Sequence, residues 1–133
     1  MARFLVKTEP SSYSFANLRR DKRTVWDGIS NPLALKHVAT IRKGDTVVIY
    51  HTGDEKQAVG LAVATTDSYL NRHDLDRPVV ELEVDKPLPK PVTLAKVKAD
   101  PVLKASDLAR QPRLSVMPLS EDQFQRLLRL AGE

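Results

Sequence analysis

The apolar residues of this chain come in short bursts, and that limits its architecture more than any other feature. Phe4–Val6, Val47–Tyr50 and Ala58–Ala64 are brief runs closed by charged or turn-forming residues. None approaches the roughly 20 apolar residues needed to span a bilayer. Runs of this length, rich in β-branched residues, suit strands. Arg3 to Lys7 reads as a first strand that ends before Pro10. Thr46 to His51 reads as another, and after the turn Thr52-Gly53-Asp54 the segment Ala58 to Thr66 returns beside it. Val80, Leu82 and Val84 alternate with Glu81, Glu83 and Asp85, the pattern of a strand with one solvated face. Leu114 to Met117 reads as a late strand, and Val25-Trp26-Asp27-Gly28 as a brief strand or turn.

Capping residues mark short helices between these strands. Ser14 is placed to cap a helix carrying Phe15 and Leu18. Asn31-Pro32 sets an N-cap before a proline at the first helical position, and Leu35, Val38 and Ala39 follow at helical spacing until Gly44-Asp45. Thr93 precedes a helix with Leu94 and Val97 that Asp100-Pro101 interrupts. Ser120 and Gln123 form a capping-box pattern ahead of Phe124, Leu127, Leu128 and Ala131, with Gly132 as the stop. The polar stretch Asp67 to Pro78 reads as a loop, and Pro87, Pro89 and Pro91 as a stiff connector. Short strands mixed with short helices predict one α+β domain over residues 1–133, a twisted, partly closed sheet with helices outside.

Such a chain, at 133 residues, can bury a real core. It must rely on that core, because it has no cysteine and so neither disulfides nor thiolate metal sites. His37, His51 and His73 are scattered without ligand spacing, so we expect no metal and no cofactor; His37 and His73 carry no functional expectation. The first residues reach Lys7 and Glu9 too soon for a secretion signal, and a cytoplasmic, monomeric protein without membrane contact is the expectation. Charge is uneven. Of 21 Lys/Arg and 17 Asp/Glu, residues 1–50 hold nine and four, a balance of +5, leaving twelve and thirteen, or −1, for the rest. A basic half favours phosphates through counterion release, although a net charge of +4 also serves solubility alone.

Four segments are left over once helix and strand periodicity are accounted for: Lys7-Thr8-Glu9-Pro10-Ser11-Ser12-Tyr13, Trp26-Asp27-Gly28-Ile29-Ser30-Asn31, Tyr50-His51-Thr52-Gly53 and Arg110-Gln111-Pro112-Arg113-Leu114-Ser115-Val116-Met117-Pro118. In order and spacing they resemble the EVE domain family along essentially the whole chain. The resemblance implies a PUA-like fold, a small curved, partly closed β-barrel flanked by short helices, related to domains that read methylated RNA bases. It also implies a pocket for a modified base in DNA or RNA. The chain departs from the family pattern after Asn31, where it has Pro32, Leu33, Leu35 and Lys36, and it carries Tyr50-His51-Thr52 where a serine usually ends the motif.

Each candidate residue has two readings. Trp26 suits core filling, or a stacking wall for a base, with Gly28 in the turn beside it. Thr8 and Glu9 begin a turn, or offer a base edge a hydroxyl and a carboxylate acceptor. Lys7 ends a strand or meets a phosphate. Asn31 caps a helix or reads a base. Tyr50 and His51 are core residues or a second wall with a polar contact, and Thr52 is hairpin chemistry or a hydroxyl contact. Arg113 and Ser115 alternate with Leu114 and Val116, so a cation and a hydroxyl share one face. The resemblance places Val116 in the pocket segment as well. Arg19, Arg20, Lys22 and Arg23 form a phosphate patch or a solvated surface. Taken with the resemblance, these residues are expected to form a non-catalytic reader of modified bases. One alternative is a small amidohydrolase with Lys7, Thr8 and Glu9 as base, nucleophile and acid, although neighbouring strand residues point to opposite faces. The other is a protein-interaction module presenting the helix Glu121 to Ala131.

Overall fold

Residues 1–71 and 74–133 are described by a computed structural model. At its centre lie two strands buried on both faces, β1 (Arg3–Thr8) and β3 (Thr46–His51), paired in parallel. Phe4, Leu5 and Val6 are all buried, as is every residue from Val47 to His51, so the apolar bursts are sheet interior. Between β1 and β3 run α1 (Phe15–Asp21), β2 (Arg23–Trp26) and α2 (Pro32–Val38). After β3 come β4 (Gln57–Ala64), β5 (Tyr69–Asn71) and β6 (Asp74–Thr93), then α3 (Leu94–Ala99), a 3-10 turn at Leu103–Ala105, α4 (Asp107–Arg110), β7 (Val116–Leu119) and α5 (Glu121–Leu130). The mixed seven-stranded sheet runs β2-β6-β4-β3-β1-β7, with β5 on β6. Among the described residues no ladder joins β2 to β7, so the sheet stays open, with a seam between its two edge strands.

The expected caps are in place. Ser14, Asn31, Thr93 and Ser120 each accept a backbone N–H through the side chain, and Ser14 and Ser120 complete capping boxes. The expected loop and connector are both strand. Within Asp67–Pro78, Tyr69–Asn71 form β5 and 74–78 begin β6; Arg72 and His73 lie outside the described residues. The three prolines do not break β6. Gly60 pairs with Pro87 and Ala58 with Val92, so Leu88–Pro91 bulge out opposite the single residue Val59. The bulge docks on the end of α5, where the Lys90 N–H donates to the Ala131 carbonyl at 3.1 Å. The late strand is Val116–Leu119, two residues beyond its expected start, and it runs through Pro118 because β7 is an edge strand, where the missing N–H costs no ladder bond. No helix among the described residues is long and apolar enough to cross a membrane.

Two packing points hold this frame. At Gly60 a Cβ would stand 2.3 Å from the buried Phe15 ring, so glycine lets α1 seat directly on β4. Asp100, 5 % exposed, accepts from Arg126 Nε at 2.6 Å and from the N–H groups of Val102 and Leu103 at 2.9 and 3.1 Å. Burial alone raises its pKa, but the Arg126 and backbone hydrogen bonds outweigh that and hold it below 3.8.

Two outcomes follow from these points. Gly60→Ala lowers urea-unfolding stability by about 1–3 kcal/mol, since the Phe15 ring has nowhere to move; an unchanged midpoint refutes the contact. Because Asp100 titrates lower folded than unfolded, its contribution is complete above the unfolded value and fades as pH falls through the folded one. Asp100→Asn therefore costs stability at pH 7, and the gap to the parent chain narrows on acidification below about pH 4, read from urea midpoints across pH.

Candidate nucleic-acid interface

The open seam holds a cavity of about 550 Å³, inside the range of about 300–1,000 Å³ typical of small-molecule sites. Its walls come from the end of β1 (Lys7, Thr8, Glu9), from β2 and the loop after it (Thr24 to Asn31), from Tyr13, and from Arg113 and Ser115 ahead of β7. Three of the four leftover sequence segments thus converge on one hollow. Eight expected residues line it: Lys7, Thr8, Glu9, Trp26, Gly28, Asn31, Arg113 and Ser115.

Each of these side chains has a definite support. Lys7 is half-buried, which pushes its ammonium below the usual lysine range; its Nζ donates to the Pro112 carbonyl at 3.0 Å and lies 5.7 Å from the Tyr50 ring centre. Thr8 Oγ1 donates to the Tyr13 carbonyl at 2.6 Å, so its hydroxyl proton is spent and its lone pairs remain as acceptors. The chain then turns: Ser12 and Tyr13 both donate N–H to the Glu9 carbonyl at 2.9 Å. This turn overrides the alternation expected of a strand and lets Lys7, Thr8 and Glu9 line the same cavity. The Glu9 carboxylate accepts from Ser11 N–H and Oγ at 3.2 and 3.1 Å and meets Thr52 Oγ1 at 3.5 Å. Asn31 Oδ1 accepts from the Ala34 N–H at 3.0 Å, the cap expected, while its amide nitrogen has no protein partner among the described residues.

Trp26 is 8 % exposed, so it is core and cavity wall at once. Tyr13 stands edge-on to it, ring centres 6.1 Å apart at 81°. Among the described residues no buried side-chain polar atom lacks a partner, and the indole N–H has none, so that N–H meets solvent. The Tyr13 hydroxyl donates to Asp21 Oδ2 at 2.9 Å; burial first, then the neighbouring Asp21, raises its pKa. The lining charges balance, with Lys7 and Arg113 against Glu9 and Asp27. Arg113 has no carboxylate within ion-pair distance among the described residues.

The third segment and Val116 lie behind the cavity, not in it. Val116 is fully buried and pairs with Val6; Tyr50 is buried beneath Lys7. His51 Nε2 accepts the Phe15 N–H at 3.0 Å, so the proton sits on Nδ1, which donates to Glu55 Oε1 at 2.9 Å. That bond draws the Glu55 carboxyl below its ordinary value. Thr52 donates its N–H to the Thr8 carbonyl at 2.9 Å. Tyr50 and His51 turn inward because β3 is buried on both faces. Arg19, Arg20, Lys22 and Arg23 are exposed outside the cavity; Arg20 pairs with Asp21 at 2.9 Å and Arg23 approaches Glu83 at 3.8 Å. Tyr13, Thr24, Val25, Asp27, Ile29 and Ser30 line the cavity without having been singled out. Tyr13, Asp27, Ile29 and Ser30 sit inside the quoted segments, whereas nothing local marked Thr24 and Val25. No cluster of three or more metal-ligating side chains exists among the described residues.

An open α+β sheet with a cavity at its seam defines the class of domain. The EVE domain family matches residues 2–130, and the chain belongs to that family. Rpa0253 from Rhodopseudomonas palustris, solved by NMR, is 34% identical, with a TM-score of 0.94 over 99% of this chain and 94% of that one. Protein Atu2648 from Agrobacterium tumefaciens is 27% identical, TM-score 0.93, over 99% and 94%. Human THYN1 protein, solved in complex with 5-methylcytosine containing DNA, is 20% identical, TM-score 0.91, over 100% and 99%, a likeness of fold. No curated protein matches the chain.

Gly53 has φ +73°, and a Cβ there would stand 2.7 Å from Glu9 Oε2. Gly53→Ala therefore costs about 1 kcal/mol in urea unfolding, through the backbone and by pushing the carboxylate away. In a double-mutant cycle with Glu9→Ala the part due to the carboxylate disappears; full additivity refutes the contact.

Proposed function

We propose that this chain is a non-catalytic module that draws a modified nucleobase of DNA or RNA into the seam cavity. The observation that carries this reading is the lining itself. Two cations and two carboxylates cancel, so the cavity suits a neutral, hydrogen-bonding ring better than a free phosphate. The edges of Trp26 and Tyr13 give such a ring apolar contact, and Thr8, Asn31 and Ser115 offer it polar partners. Glu9, fixed by Ser11, is an acceptor of the kind that pairs with an exocyclic amine such as that of cytosine. The fold shared with human THYN1, solved with 5-methylcytosine containing DNA, supports the same reading. Arg19 and Lys22, without acidic partners among the described residues, would hold the flanking backbone.

A hydrolase is less favoured although Lys7, Thr8 and Glu9 share the cavity. The Thr8 hydroxyl points its proton at the Tyr13 carbonyl, and the Lys7 amine is engaged by the Pro112 carbonyl, so neither serves the other. A partner-binding role for α5 has little support, because Phe124 and Leu127 are part of the chain's own core.

Titration of single-stranded oligonucleotides carrying cytosine or 5-methylcytosine tests the reading. The methyl group is expected to tighten binding about fourfold, the worth of one buried carbon at about 0.8 kcal/mol. Arg113→Ala weakens binding without moving the unfolding midpoint. Equal affinity across modified and unmodified oligonucleotides overturns the proposal.

A further inference from the structure

We propose that a second hollow beside the seam holds the nucleotide next to the one whose base enters the cavity, which rests on the base-binding reading above. This hollow, about 300 Å³, is lined by Asn31, Leu33, Gln111, Pro112, Arg113 and Leu114. Asn31 and Arg113 line both spaces, so the two adjoin and these side chains form the ridge between them. The ridge is made of donors without protein partners. Asn31 spends its oxygen on the Ala34 N–H and keeps its amide nitrogen free, and Arg113 has no ion pair among the described residues. A phosphodiester offers only acceptor oxygens, and it is the group that must lie between two successive bases.

The floor of the second hollow is different in kind from the seam cavity. Leu33 is 40 % exposed at the start of α2, an apolar side chain that the core does not use. With Pro112 it makes a surface on which any base can lie, which gives affinity without sequence preference. Gln111 donates its amide nitrogen to Asp107 Oδ1 at 3.1 Å and keeps its oxygen as an acceptor. No carboxylate lines this hollow, whereas Glu9 and Asp27 line the seam. An anionic backbone is therefore favoured on this side over the charge-balanced seam.

Calorimetric titration of the full chain separates the parts. The probes are 5-methyl-2′-deoxycytidine, the two dinucleotides joining it to thymidine on its 5′ or 3′ side, and the same dinucleotides with an abasic sugar in place of thymine. In one polarity the base-bearing dinucleotide is expected to bind at least about fivefold tighter than its abasic counterpart. Leu33→Ser removes that gain and leaves the affinity for the nucleoside unchanged. Equal affinity of base-bearing and abasic dinucleotides in both polarities overturns the inference, as does a gain that survives Leu33→Ser. Either result, with the nucleoside still bound, leaves the seam reading standing; failure of every probe to bind overturns both.

Discussion

The structure depends on a sheet that bends towards closure and stops short. Curvature comes from β6, whose bulge at Leu88–Pro91 and further register shift between Leu61 and Ala62 bend it along β4. The strands that would have to meet, β2 and β7, are four residues each, and Pro118 removes a donor from one of them. Short edges with a missing donor resist pairing with another chain as well as with each other. The space between them is the cavity. Side chains from β1, β2 and the approach to β7 enter the seam because no ladder fills it.

The walls of the seam are anchored in the core by single, specific bonds. His51 takes the Phe15 N–H, Thr52 binds the Thr8 carbonyl, and Thr8 binds the carbonyl of Tyr13. Phe15 in turn lies on Gly60. The loop that carries Glu9 and Tyr13 is therefore tied at both ends to β3 and β4. Residues outside the cavity set the positions of those that line it, so stability and cavity geometry are coupled here by the same few contacts. A preformed site of this sort loses little ordering entropy on binding.

Local chemistry was the legible part of the sequence. The four expected N-caps act through their side chains, since capping is decided within three residues. What escaped local reading depended on partners far along the chain. Prolines at 87, 89 and 91 signal a break, yet the opposing strand absorbs them in a bulge, and Pro118 is tolerated only because β7 lies at an edge. The site divided the same way. Eight of the expected ligand-lining residues converge, but Tyr50, His51 and Val116 face inward, because helices and strands cover both faces of the strands that carry them. Thr24 and Val25 went unnoticed because only the failure of β2 to reach β7 brings them to a cavity.

On the proposed reading, the lining also decides which discrimination the cavity performs well. One added methyl group is worth about 0.8 kcal/mol when buried, so packing separates methylated from plain base only several-fold. A fixed acceptor acts more strongly. Glu9 is held by Ser11, and the glycine at position 53 leaves room for its carboxylate there. A base presenting an amine satisfies it, while one presenting a carbonyl sets lone pairs against lone pairs and leaves an acceptor unpaired, at about 1–3 kcal/mol where water is excluded. Glu9 is exposed at the cavity mouth, so solvent reduces that penalty without changing its sign. On that reading the cavity would favour amino over keto bases and weigh a methyl group in addition, by contributions of similar size. Tight preference for one modification would have to come from neighbouring contacts.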